Sequence, residues 1–189
     1  MTLGEGKRKV LMLLDEYSAG GEITKDEDIS KKMADFFDMA QKDMAGFKPI
    51  LRSVELFPDG SGSSCELPED FVRLSRVWRN GALTGRYGVT GRRLIVPAGD
   101  RAALVVEYHA KPKTIEPDEE DGYEFEVDED AANCLPFYVA AQQLMPDLVV
   151  DYSVFRDAYY NMRAALDVST PPSGGDGVRQ TLFARRRRR

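Results

Sequence analysis

The sequence predicts an α+β protein: a four-helix bundle core, an antiparallel β-sheet domain inserted between helices 2 and 3, and an extended C-terminal arm. Three observations predict it. Apolar residues recur every three or four positions at both ends of the chain, the period drops to two between Lys48 and Lys111, and the closing stretch is rich in Pro, Gly, Ser and Arg. The corresponding segments are 1–47 (N-terminal helices), 48–127 (inserted β-rich domain with an acidic connection), 128–167 (C-terminal helices) and 168–189 (arm).

In GEGKRKVLMLLDEYSAGG, Val10, Leu11, Leu13, Leu14 and Tyr17 make one apolar helical face, ended by Gly20-Gly21. The second helix is clearer. Thr24 and Glu27 form a capping-box pattern, and Ile29, Met33, Phe36, Phe37, Ala40, Met44 and Phe47 follow as a stripe that reads as core. From Lys48 the alternation in ILRSVELF marks a strand, PDGSGSS a loop, and Asn80-Gly81 a type I′ hairpin turn, because both turn residues must take positive φ. Further short strands broken at Gly91 and PAGD complete one antiparallel sheet of about five strands.

Between Glu116 and Asp130 ten residues are acidic and none is basic. Tyr123, Phe125 and Val127 alternate with Glu124, Glu126 and Asp128, which predicts a short extended stretch with one packed and one negative face. A calcium loop fails on spacing, since aligning Gly122 with the turn glycine puts Pro117 at the first carboxylate position. Asp118, Glu119, Glu120, Asp121, Glu124 and Glu126 therefore read as an acidic edge facing solvent or an interface. Beyond it, Pro136 fits only a first helical turn or a kink, and Pro146 stops that helix. Asp147 is positioned to cap a last helix to Asp167, with Val150, Val154, Ala158, Met162 and Ala165 on its inner face.

Charge is unevenly spread. The formal net charge is −6, yet residues 168–189 carry six arginines against Asp176, a segment charge of +5 that leaves −11 for the rest. A nucleic-acid-binding domain ordinarily shows a broad basic face, so a basic tail on an acidic body makes that function the alternative reading and not the leading one. VSTPPSGGDGVRQ cannot hold a core and reads as a tether for Leu182, Phe183 and the run Arg185 to Arg189.

Nothing in the sequence argues for an enzyme. His109 is the only histidine and falls at a strand end, with no nucleophile in a recognisable turn. Cys65 and Cys134 are far apart and read as free thiols, without the ligand clusters that zinc requires. GSGSS lacks the lysine and following helix of a phosphate loop, so no cofactor is expected. No apolar run approaches the ~18 residues needed to span a bilayer, and MTLGEGKRKV lacks a signal-peptide apolar region, so a cytosolic product is expected.

The order KRKVLMLLDEYS, LPEDFVRLSRVWRNGALT, VVEYHAKP, CLPFYVAAQQLMPD and FRDAYYNMRAALD resembles the head-to-tail adaptor (connector) proteins of tailed bacteriophages, over about residues 3–167. It is most similar to those with a β insertion in a helical bundle. The resemblance implies a virion protein assembled in the host cytoplasm: a homo-oligomeric ring, typically a dodecamer, beneath the portal protein. Such a ring extends the channel for packaged DNA and presents a surface to the next tail or neck protein. In several such adaptors a C-terminal arm reaches up to the portal, and residues 168–189 hold that place in this chain. By placement the expected arm residues are Arg179, Leu182, Phe183, Arg185, Arg186, Arg187, Arg188 and Arg189.

Overall fold

The first helix, α1 (Leu3–Leu13), begins where Thr2 can act as an N-cap. The Thr2 hydroxyl accepts from Glu5 N and the Glu5 carboxylate accepts from Thr2 N at 2.9 Å, a reciprocal capping box. The computed structural model describes residues 1–14, 27–58, 64–97, 102–145 and 151–169, leaving aside the side chains of 27–30 and 167–169. The predicted Thr24–Glu27 capping box, the Gly20-Gly21 stop, Tyr17 and the Asp147 cap lie outside these residues.

Among the described residues follow α2 (Glu27–Phe47), seven strands, and three further helical segments: α3 (Glu129–Ala132), α4 (Leu135–Leu144) and α5 (Ser153–Ser169). The strands are β1 (Ile50–Leu56), β2 (Ser64–Glu66), β3 (Phe71–Arg79), β4 (Ala82–Leu83), β5 (Gly88–Thr90), β6 (Arg93–Ile95) and β7 (Leu104–Ala110). The chain is thus a mixed α+β protein with antiparallel sheets. Pro136 sits in the first turn of α4, where its missing N–H would have no helical partner.

Where one sheet of about five strands was expected, there are two, in the orders β1-β7-β3-β4 and β2-β6-β5. The difference has a packing cause. Inward residues of β7 and β3 need cover on one side, and the hairpin β5–β6, turning at Gly91 with φ 58°, pairs with β2 to supply it. Cys65, Leu67, Leu94 and Val96 meet Val77, Leu104 and Val106 in a small core between the sheets. The Asn80-Gly81 turn is as predicted, with φ values of 50° and 76° joining Arg79 to Ala82.

A second, larger core joins the two ends of the chain. Leu3, Val10 and Leu11 of α1, Met33, Phe37, Ala40 and Met44 of α2, Leu135, Val139 and Ala140 of α4, and Tyr159 and Leu166 of α5 are buried together. The predicted α2 stripe is borne out at these positions, and Phe36 and Phe47 pack at its margin. The α5 face is as predicted only at Met162, which packs against the core. Val154 is 64% exposed and Ala165 is exposed, and the inward positions are Phe155, Tyr159, Met162 and Leu166. Both stripes have helical spacing, but the ring-bearing one removes more apolar area from water and therefore faces in; Val150 lies outside the described residues.

Candidate functional site

The acidic connection packs its apolar side into the helical core, and its backbone is stitched to the start of the chain. Leu3 N donates to Tyr123 O at 2.8 Å, Gly4 N to Asp121 O at 2.9 Å, and Phe125 N to Met1 O at 3.3 Å. Only glycine permits that approach: a Cβ on Gly4 would stand 2.8 Å from Asp121 Cβ, and one on Gly6 would stand 2.9 Å from Phe37 Cζ. The alternation foreseen for this stretch holds on its apolar side, with Phe125 and Val127 buried and Tyr123 half-buried. Regular strand does not form; a single bridge, Thr2 to Glu124, is all the ladder the segment makes among the described residues.

Its acidic side divides in two. Asp118, Glu120 and Glu124 are exposed. Glu119 pairs with Lys113 at 3.2 Å, and Asp121 pairs at 2.8 Å with Lys7, which is itself only 5% exposed. Glu126 is the most engaged. One carboxylate oxygen accepts from Arg52 Nη2 at 2.6 Å and the other from Lys113 N at 2.7 Å, so three of the six predicted edge residues are internal ties.

Arg52 carries the connection onward into the sheet. Standing on β1, it donates to Glu126 and also to Asp70 Oδ2 at 2.5 Å, and Tyr108 of β7 donates its hydroxyl to Asp70 Oδ1 at 3.1 Å. Burial works against the charge of Arg52, but Glu126 and Asp70 outweigh it and raise its pKa. Burial and then the Asp70 contact push the Tyr108 phenol up, so it stays protonated at neutral pH.

Gln41, fully buried on α2, fastens the same segment to the helices. Its Oε1 accepts from Glu126 N at 2.9 Å, and its Nε2 donates to Tyr123 OH at 3.1 Å and Lys113 O at 3.3 Å. Sequence reasoning passed over Arg52, Asp70, Lys7 and Gln41. Only Gln41 left a signal, as the one polar residue inside an otherwise apolar stripe.

Chemistry at the remaining candidates is quiet. His109 is half-buried on β7, with Arg73 Nη2 at 3.3 Å from its Nδ1. Because guanidinium only donates, Nδ1 is the acceptor and the ring is neutral; burial and then Arg73 lower its pKa. Cys65 and Cys134 are both buried and neither is in a disulfide, and burial, followed by Asp128 and Asp130, pushes the Cys134 thiol up, away from thiolate. No cluster that could hold a metal ion occurs among the described residues. Nor is any helix among them long and apolar enough to cross a membrane.

The expected arm residues, Arg179, Leu182, Phe183 and Arg185 to Arg189, lie outside the described residues. No protein-family model matches the sequence, and no curated protein is significantly similar to it.

Proposed function

We propose that the protein is a head-to-tail adaptor of a tailed bacteriophage, forming a ring beneath the portal that extends the DNA channel and receives the next neck or tail protein. The observation that carries this reading is the shared helical core: helices from before and after the β strands bury their faces together. On this reading α1, α2, α4 and α5 are the four-helix bundle and β1 to β7 its insertion, the arrangement that the motif order resembles. A ring that closes satisfies two different faces on each copy and leaves no interface free.

Repeated around such a ring, Asp118, Glu120 and Glu124 would give a negative edge, which either keeps passing DNA from adhering or meets a basic partner. The arm, residues 168–189, would engage the portal, and a dozen weak arms bind as one because each raises the effective concentration of the rest.

Sedimentation of the purified protein, alone and with portal rings of the same phage, tests this. A ring-sized species, or a stoichiometric complex with the portal that disappears when residues 168–189 are deleted, is the expected outcome. A monomer that ignores the portal at every concentration overturns it. If the arginines grip nucleic acid instead, duplex DNA affinity falls with salt with a slope near −0.9 per contacted phosphate.

A further inference from the structure

A groove runs between the end of α2 and strands β3 and β7, in two compartments of about 570 Å³ and about 220 Å³ that share Ala45, Gly46, Val72 and Ala110 as their floor. A bulge shapes it. Phe71 pairs with Ala110 and Arg73 with His109, so Val72 is the extra residue of β3. Strict alternation would put Arg73 on the face of Phe71, which packs on the sheet core. The extra residue turns Arg73 outward and leaves Val72, 53% exposed, in the groove.

The rim is cationic. Lys42 and Lys111 line the first compartment and Arg73 the second, and no carboxylate lines either. Asp38 pairs with Lys42 at 2.6 Å, whereas Arg73 meets the neutral His109 ring at 3.3 Å, and neither Arg73 nor Lys111 has an ion pair among the described residues. On a chain whose net charge is −6, a groove with two cations lacking a counter-charge is complementary to an anionic partner.

Its floor suits another main chain. Glycine weakens a helix relative to alanine, yet no neighbour demands it at Gly46, where a Cβ would meet nothing within 4 Å. It leaves bare backbone that a partner can approach closely. Beside it, Ala45 O lies where Pro49 has no N–H to offer, and no donor meets it among the described residues. An extended peptide brings such N–H groups with it.

We propose that this groove binds an acidic extended segment of another protein, with carboxylates on Arg73 and Lys111, an N–H on Ala45 O and a small apolar side chain over Val72 and Ala110. Nucleic acid fits less well, because it calls for a broad basic face, and here exposed Glu116, Asp118 and Glu120 follow closely on Thr114 of the rim. A second copy fits no better. Its acidic connection is fastened to the start of the chain by the backbone bonds of Leu3, Gly4 and Phe125, so it is not free to enter as an extended segment. The docking does not rest on the neck reading.

In the test, the isotope-labelled full chain is titrated with the end-capped synthetic peptide Glu-Asp-Glu-Val-Asp-Glu-Glu and its amide shifts are followed by NMR. Changes at residues 42–50, 71–73 and 109–114, saturating at millimolar peptide, are expected. Gly46→Leu fills the groove without a clash and should abolish them while the urea midpoint holds or rises. Arg73→Glu combined with Lys111→Glu should weaken binding roughly tenfold, the range for two lost surface ion pairs. Shifts confined to Arg185–Arg189, groove shifts that survive Gly46→Leu, equal shifts with a thymidine oligonucleotide, groove shifts on concentrating the protein alone, or none at all each overturn the proposal.

Discussion

The helical core and the sheet core are built on different scales. Nineteen buried residues between Leu3 and Leu166 make the first, whereas seven between Cys65 and Val106 make the second, counted among the described residues. The helical core draws on both ends of the chain and depends on contacts distant in sequence. The sheet core is local, and one whole face of β5 is exposed with the rest of that strand. The larger core therefore carries global stability, and the smaller one is a satellite that can loosen without dragging the helices with it.

Phe37→Ala should make the largest difference. Phe37 is fully buried and stacks on Phe125 at 5.3 Å, so its loss should cost about 3–5 kcal/mol and lower the midpoint of the whole unfolding transition in urea. Leu94→Ala should cost about 2–3 kcal/mol, low in its range because the exposed three-stranded sheet can settle inward. Its signature is local: faster amide exchange in β2, β5 and β6 with α2 and α4 still protected. Equal acceleration in both regions would abolish the distinction between the cores.

The smallest effect falls at the junction. Asp128 caps α3 through Ala131 N and pairs with Lys48 across the gap between the β1 approach and the C-terminal helices. Burial opposes its charge, but Lys48 and the Ala131 N–H outweigh burial and hold the carboxyl below its usual 3.8. The stabilisation is thus present above that value and is lost as pH falls through the depressed one. Asp128→Ala should cost about 1 kcal/mol near neutrality, chiefly through the cap since the side chain is 46% exposed. Thermal melts of both proteins should converge in strong acid.

Period-based reading worked where one face of an element meets a core. The stripe on α2, the alternation of β1 and the Asn80-Gly81 turn were legible because each pattern has a single solution. α5 was misread except at Met162, which both stripes share, because the two have the same spacing and only the partner helix chooses between them. The site was less legible still. A buried Lys7 looks in sequence like any solvated residue, and the pairing of Arg52 with Glu126 depends on a fold that brings together positions far apart in the chain. Charge counting located the acidic segment in the sequence but could not separate the carboxylates that face outward from those already paired.

The stitch between Met1–Gly4 and residues 121–125 also bears on how the protein is made. A ribosome delivers α1 first, yet the carbonyls that hold its opening turn emerge only after every strand from β1 to β7. The sheets can close while synthesis continues, but α1 must wait for them. Vectorial synthesis thus lets the satellite core be completed while the principal one, which α1 and α2 can begin between themselves, still waits for its last pieces.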